Sequence, residues 1–231
     1  SSLEEEIIHA IPLSYAIDSD NNILNPIGLY SHRLEVDLYL ICGKLSSMQS
    51  LIRAVNQAGY EVKDLFFSGI ATSNAVFNKE TKAGINILCD IGSDITELLI
   101  FKDGTLTNIE ILPLGGDDLT EHIQDELKIP FDLAESVKRS YANALERNDQ
   151  MNQDRQILVK KDNIYKPIKQ RLISEIVSSK TKLICQSIKE AVERNVAFSQ
   201  INSFVTVGRT LLLEGFLEAL ESSLGVSVKI G

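Results

Sequence analysis

The chain has 231 residues, 44% of them hydrophobic and 24% charged, and a net charge of −9. That is ordinary globular composition, with length for one large domain or two modest ones. The negative balance argues against nucleic acid and against an acidic membrane surface as general electrostatic partners. No apolar run approaches the ~18 residues of a membrane-spanning helix, and no signal-peptide pattern opens the chain. Cys42, Cys89 and Cys185 stand singly in apolar segments, away from His9, His32 and His122. No metal-ligand spacing is present, so buried thiols in a reducing cytosol are expected. The chain starts Ser-Ser-Leu without an initiator Met and opens almost at once into a strand, which reads as a piece of a longer protein.

Residues 5–18 predict an extended segment broken at Pro12. Residues 19–33, with Asp20-Asn-Asn, Asn25-Pro26 and Gly28, predict a loop. Leu34–Cys42 alternates weakly and predicts a strand. Ser46 or Ser47 is placed to cap a helix with Met48, Leu51, Ile52 and Val55 on one face, ended by Gly59. Glu61–Phe67 predicts another strand, giving an α+β unit of about seventy residues. From Ile85 a short apolar run ends at Asp90, and a polar turn follows at Gly92-Ser93-Asp94. A second apolar run (Leu98–Phe101) leads to the hairpin dipeptide Asp103-Gly104 and a third strand, Thr105–Leu112. The small residues after Asp90 can bring backbone N–H groups close to an anion. An ordinary hairpin with a polar turn accounts for the same residues.

Gly115-Gly116 ends a strand, and Asp117 or Asp118 is placed to cap a helix bearing Leu119, Ile123 and Leu127, stopped by Pro130. The two glycines are explained without a ligand by a turn that needs their backbone angles. Asp132-Leu-Ala-Glu135 has capping-box spacing, and Leu133, Val137, Tyr141 and Leu145 mark a buried stripe. Glu135 and Lys138 lie three apart on one face, for which a capping Glu beside a surface Lys is the plain reading. Residues 146–166 are polar, with a mobile loop or hairpin tip at 148–154 and one short strand at 156–159. A long helix is expected from Pro167 to about Asn195, with Ile168, Leu172, Ile176, Leu183, Ile184, Ile188 and Val192 on its apolar side. Lys166, Lys169 and Arg171 read most simply as a charged exposed face. Phe204–Gly215 predicts strand, turn and helix, and Val226–Gly231 a last strand.

Several stretches resemble known proteins. Asp90, Ile91, Gly92 and Thr96 are similar to the phosphate-binding hairpin of actin-like ATPases, Asp-apolar-Gly-Gly-Gly-Thr-Thr-Asp, while Ser93, Asp94, Ile95 and Glu97 depart from it. The series His9-Ala-Ile-Pro-Leu-Ser-Tyr-Ala-Ile-Asp18, Asn25-Pro-Ile-Gly-Leu29 and Arg33-Leu-Glu-Val36 resembles the inserted subdomain of the FtsA family of actin-like bacterial division proteins. Phe66-x-Ser-Gly-Ile-Ala-x-Ser73, Gly115-Gly116, Ala134-Glu-x-x-Lys138, Gln170–Val177 and Gly208 continue that resemblance in order. The pilus-assembly homologue PilM shares the later motifs and fits the first part less well.

The resemblance implies an α/β fold. Residues 1–80 would be the inserted small α+β subdomain, and 81–231 an actin-like (ribonuclease H-like) second lobe, with the first subdomain absent. It implies a division adaptor that links FtsZ polymers to the membrane at the cytoplasmic face of the division site. Later division proteins would be recruited through the inserted subdomain, self-association would give filaments, and membrane contact would be made by a segment outside this chain. ATP with Mg²⁺ would be held by Asp90 (on the metal side), Gly92, Ser93, Thr96, Gly115, Gly116, Glu135 and Lys138 (at the sugar) and Gly208 (at the adenosine). Asp94 would repel phosphate, and Val207, in place of a family glycine, would crowd the base, as would Arg209. Weak binding, negligible turnover and no catalytic residue are therefore expected. Lys166, Lys169 and Arg171 would meet the acidic FtsZ C-terminal tail. The alternatives are a PilM-like pilus adaptor and a functioning actin-like ATPase.

Overall fold

The computed structural model describes residues 4–23, 25–77, 83–145, 155–161 and 164–231. The expected tip at 148–154 and the side chain of Lys166 lie outside the described residues. The chain divides into two compact units, Ser1–Glu80 with Gly104–Thr107, and Thr81–Asp103 with Asn108–Gly231.

In the first unit β1 (Glu5–Ile17), β2 (Asp20–Ile23) and β3 (Leu34–Lys44) form an antiparallel sheet in the order β2-β1-β3. Pro12 does not break β1. It pairs with Leu38 beside a register shift, and β2 reaches only Tyr15 and Ile17, so the missing N–H falls where β1 has no second partner. β2 lies inside the expected loop. Asp18, at φ 52°, reverses the chain in two residues, and its carboxylate accepts the N–H groups of His32 and Arg33 at 3.1 and 2.9 Å.

Helix α1 (Leu45–Gln57) starts one residue before the expected caps. Lys44 is its N-cap without a side-chain bond, and Ser46 and Ser47 fall within the first turn. Gly59, at φ 89°, does end it. The N–H groups of Gly59 and Tyr60 bond the carbonyls of Asn56 and Val55, the paired bonds of a Schellman motif. No strand forms over 61–67. Phe67 instead donates its N–H to Nε2 of His9 at 3.0 Å, and α2 (Ser68–Val76) follows. Cys42, expected inside, is exposed. It shares a face of β3 with Leu34, Val36, Leu38 and Leu40, all exposed, while Ile41 on the opposite face is buried.

The three expected strands come next in the chain, β4 (Ile85–Ile91) and β5 (Thr96–Lys102) in the second unit and β6 (Thr105–Leu112), whose first three residues are assigned to the first unit. Asp103 and Gly104 both have positive φ (50° and 81°), as a two-residue hairpin turn of this twist requires. Then come α3 (Gly116–Leu127), α4 (Phe131–Tyr141), β7 (Gln156–Lys161), β8 (Ile164–Lys169), α5 (Gln170–Asn195), β9 (Ile201–Val207), α6 (Phe216–Leu224) and β10 (Val228–Ile230). The sheet order is β10-β9-β4-β5-β6. β9 runs parallel to β4 and β10, and β5 antiparallel to β4, while β7 and β8 form a separate antiparallel ribbon.

Ile87, Cys89 and Ile91 of β4 and Leu98 and Ile100 of β5 belong to one core with Leu119, Ile123, Ile173, Ile184, Ile188, Phe216 and Leu220 from the helices. Leu88 and Leu99, on the opposite sheet face, are also fully buried, which explains the near-continuous apolar runs of these strands.

The starts of α3, α4 and α5 differ from expectation as well. Gly115 caps α3, and Asp118, inside the first turn, accepts the Gly115 N–H at 2.8 Å. Pro130 precedes α4, so Asp132 is inside the helix, and Glu135 bonds other groups than the cap. Pro167 lies in β8 opposite Leu158, and α5 begins at Gln170. A two-stranded ribbon has only edge strands, where proline is tolerated. With the start moved, the buried stripe of α5 runs through Ile173, Val177, Ile184 and Ile188, while Leu172 and Leu183 are exposed. Leu145 lies beyond the end of α4. Among the described residues no helix is long and apolar enough to cross a membrane.

Candidate functional site

A cavity of about 830 Å³ lies within the second unit at the carboxyl ends of β4 and β9, a size usual for ligand pockets. Asp90, Gly92 and Ser93 line it from the β4–β5 turn, and Gly116 and Asp117 from the start of α3. Glu135, Lys138 and Arg139 line it from α4, Arg171 and Glu175 from α5, and Gly208, Arg209 and Thr210 from the turn after β9. Of the residues named from sequence, Thr96 and Gly115 are not in its lining. Thr96 is buried, with its hydroxyl donating to the Leu114 carbonyl at 2.9 Å. Asp94 and Val207, expected to intrude on a ligand, do not line the cavity either; Arg209 does. Asp94 lies exposed at the turn, and Val207 pairs with Asp90 in the sheet.

The walls are joined at the β4–β5 turn. The Gly92 carbonyl accepts the Gly116 N–H (3.0 Å) and the Thr210 hydroxyl (2.8 Å), and the Ser93 carbonyl accepts the Asp117 N–H (2.7 Å). This contact, rather than a turn angle, requires the glycine pair. The φ of Gly115 is −173°, open to any residue, but a Cβ there would lie 2.6 Å from the carbonyl oxygens of both Gly92 and Ser93. Gly208 is required on both counts, since its φ is 110° and a Cβ would sit 2.2 Å from the Ile91 oxygen.

Lys138 is buried. Its ammonium donates to the Gly116 carbonyl (2.8 Å), the Thr120 hydroxyl (2.7 Å) and Glu135 (2.6 Å). Glu135 also accepts from Thr120 and from Arg139, each at 2.6 Å. Burial alone would raise the Glu135 pKa, but the hydrogen bonds from Lys138, Thr120 and Arg139 bring it down to about 2. Thr120 and Thr210 were not legible as site residues. Thr120 lies four residues after Gly116 on α3, a spacing that could have drawn notice.

Arg171 is paired with Glu175 at 2.6 Å. Asp90 and Arg209 make no ion pair among the described residues. Burial raises the pKa of Asp90, and Glu97, its cross-strand neighbour, is raised by burial and then by the charge of Asp90. The N–H groups of Ser93 and Asp94 carry no hydrogen bond among the described residues. Unpaired N–H groups at a tight turn suit an anion, and an unpaired, desolvated carboxylate suits a cation. Among the described residues no cluster of three or more His, Cys, Asp or Glu side chains is placed to hold a metal. A cation beside Asp90 would complete its shell from water and from the oxygens of an anionic ligand, the usual habit of Mg²⁺.

Residues 87–231 match the family model described as cell division protein FtsA, and residues 2–42 match the SHS2 domain inserted in that protein. The chain belongs to the FtsA family. It is 29% identical to FtsA of Buchnera aphidicola subsp. Baizongia pistaciae over 99% of its own length and 56% of that protein. It is 27% identical to FtsA of Borreliella burgdorferi over 99% and 56%, and 26% identical to FtsA of Bacillus subtilis over 98% and 52%. This FtsA-family chain thus spans about half the length of the relatives it matches.

Among solved structures it is similar to the PilM–PilN type IV pilus biogenesis complex (TM-score 0.69, 17% identity, 100% of this chain and 57% of that one). It is also similar to MreB 5 of Spiroplasma citri bound to AMPPNP (TM-score 0.58, 13% identity, 94% and 82%). A third is the ethanolamine utilization protein EutJ of Carboxydothermus hydrogenoformans (TM-score 0.58, 22% identity, 79% and 54%). These likenesses show the actin-like fold.

Proposed function

We propose that the chain is the nucleotide-binding lobe and inserted subdomain of an actin-like division adaptor. In this reading the adaptor links FtsZ polymers to the membrane and recruits later division proteins. The observation that carries it is the family match over 87–231, the same stretch that builds the cavity of about 830 Å³. ATP with Mg²⁺ is the ligand proposed for that cavity. The Ser93 N–H group would face phosphate, and Asp90 would stand on the metal side. With Asp94 and Val207 outside the lining, the expected obstruction falls to Arg209 alone. Filament formation and placement at the inner face of the membrane belong to the same proposal.

The partner proposed for the second unit is the acidic C-terminal tail of FtsZ. Lys169, exposed at the start of α5, is the candidate contact taken forward, because Arg171 lines the cavity proposed for the nucleotide. Titration of the full-length protein with a labelled FtsZ tail peptide, followed by fluorescence anisotropy, tests this. Saturable binding weakened by Lys169→Glu is expected, and absence of binding by the folded protein overturns the adaptor reading.

A further inference from the structure

Resting on the nucleotide reading, we infer that Arg209, expected from the sequence to crowd the base, is instead a binding residue of the cavity whose guanidinium takes a phosphate of the ligand. Lys138 and Arg139 are each paired with Glu135, and Arg171 with Glu175, all at 2.6 Å. Arg209 lines the same cavity, is exposed, and makes no ion pair or hydrogen bond among the described residues. Carboxylates outnumber cations in the lining, with Asp90, Asp117 and Glu214 present besides the two already paired. A polyphosphate entering such a lining is repelled unless free cations face it. Among the described residues Arg209 is the cation the lining has to offer without first breaking an ion pair. A guanidinium fork matches two phosphate oxygens at once, and a hydrogen bond between ions is roughly twice as strong as a neutral one.

The backbone roots Arg209 beside the phosphate-facing turn from both sides. Gly208, before it, lies so close to the main chain of β4 that a Cβ would stand 2.2 Å from the Ile91 oxygen. Thr210, after it, donates its hydroxyl to the Gly92 carbonyl at 2.8 Å. Ser93, next along that turn, lines the cavity with an N–H that carries no hydrogen bond among the described residues. Consecutive Cα atoms stand about 3.8 Å apart. Arg209 is therefore one such step from a side chain already bonded to the turn, and its own side chain is longer than that step. With the root fixed, the ordering cost of binding falls on one side chain. That side chain is exposed and has no bond to break in moving off the place of a nucleoside, so the crowding expected from its size does not follow.

The test uses the full-length protein, with ATP, adenosine and inorganic tripolyphosphate titrated separately by calorimetry in the presence of Mg²⁺. Arg209→Ala is expected to weaken ATP and tripolyphosphate about tenfold or more, the worth of a hydrogen bond to a charged group, and to leave adenosine unchanged. Arg209→Lys, which keeps the charge without the fork, should fall between wild type and Arg209→Ala. Added salt should weaken ATP binding more steeply in the wild type than in Arg209→Ala. Both variants should melt as the wild type does, because Arg209 is exposed. An unchanged ATP affinity in Arg209→Ala overturns the inference, and a tighter one shows that the side chain obstructs. An equal loss for ATP and adenosine also overturns it, by putting the guanidinium on the nucleoside. If the wild type binds neither ATP nor adenosine, the nucleotide reading fails. Tripolyphosphate binding that Arg209→Ala loses then still sustains the phosphate role of Arg209, and no such binding overturns it.

Discussion

Charge at the cavity is arranged unevenly, and two carboxylates show it. Asp90 and Glu97 stand opposite one another on neighbouring strands, both with raised pKa values, and among the described residues no cation pairs with Asp90. Like charges facing across strands are destabilising, so Asp90 is held at a cost to the fold. Asp90→Asn is expected to raise the thermal midpoint by about 2–4 °C while abolishing the Mg²⁺-dependent part of nucleotide affinity. A lowered midpoint would show instead that the carboxylate stabilises the fold. Glu135 is the opposite case. Its pKa falls from 4.5 to about 2 on folding, through bonds from Lys138, Thr120 and Arg139. A depressed carboxylate pKa stabilises above the unfolded value, and that stability is lost as pH falls through the folded value. Between pH 4.5 and about 2 the wild type should therefore lose stability more steeply than Glu135→Gln, as urea midpoints across that window would read.

At the scale of elements, the turns around β4 and β9 depend on backbone approaching backbone. Gly208 has a φ of 110°, and a Cβ there would lie 2.2 Å from the Ile91 oxygen, a rigid main-chain atom in the sheet. Gly208→Ala should cost about 3 kcal/mol or more by denaturant unfolding; a cost under about 1 kcal/mol would mean the strand end can move aside. The helices show why boundaries were harder to foresee than elements. The residue types Ser46, Asp117 and Asp132 all suit a cap, yet each falls inside its helix. Capping propensity adds about 1 kcal/mol. The packing of α3 against the β4–β5 turn outweighs it by fixing where the helix must start.

Across the whole molecule the two units bury their cysteines differently. Cys89 and Cys185 lie in the core of the second unit, where burial pushes the Cys185 thiol up to about 12 and that of Cys89 higher still. Cys42 lies on the exposed apolar face of β3. An aromatic disulfide reagent at neutral pH should modify one thiol in the folded protein and all three after denaturation. Two rapidly reacting thiols would show that the core of the second unit opens. The same contrast explains why three isolated cysteines in apolar segments looked alike in sequence. A strand alternates its faces whether or not both are covered, so Cys42 carries the pattern of a buried residue without the burial.

Periodicity, turn dipeptides and the ordered series of Pro, Tyr, Asn-Pro, Gly-Gly and Ala-Glu-x-x-Lys were enough, without coordinates, to place the strands 85–112, the long helix ending at Asn195 and the FtsA family. Those signals are local, because each depends on neighbours within a few residues of chain. The partners of each side chain were decided only in three dimensions. Lys138 meets Thr120 and Gly116 from 18 and 22 residues away, and Thr210 reaches Gly92 across 118. The cavity lining left out Asp94 and Val207, kept Arg209 and added Thr210. Hydrogen bonds between elements arise from how helices pack on a sheet, and a linear pattern holds no record of which donor will face which acceptor.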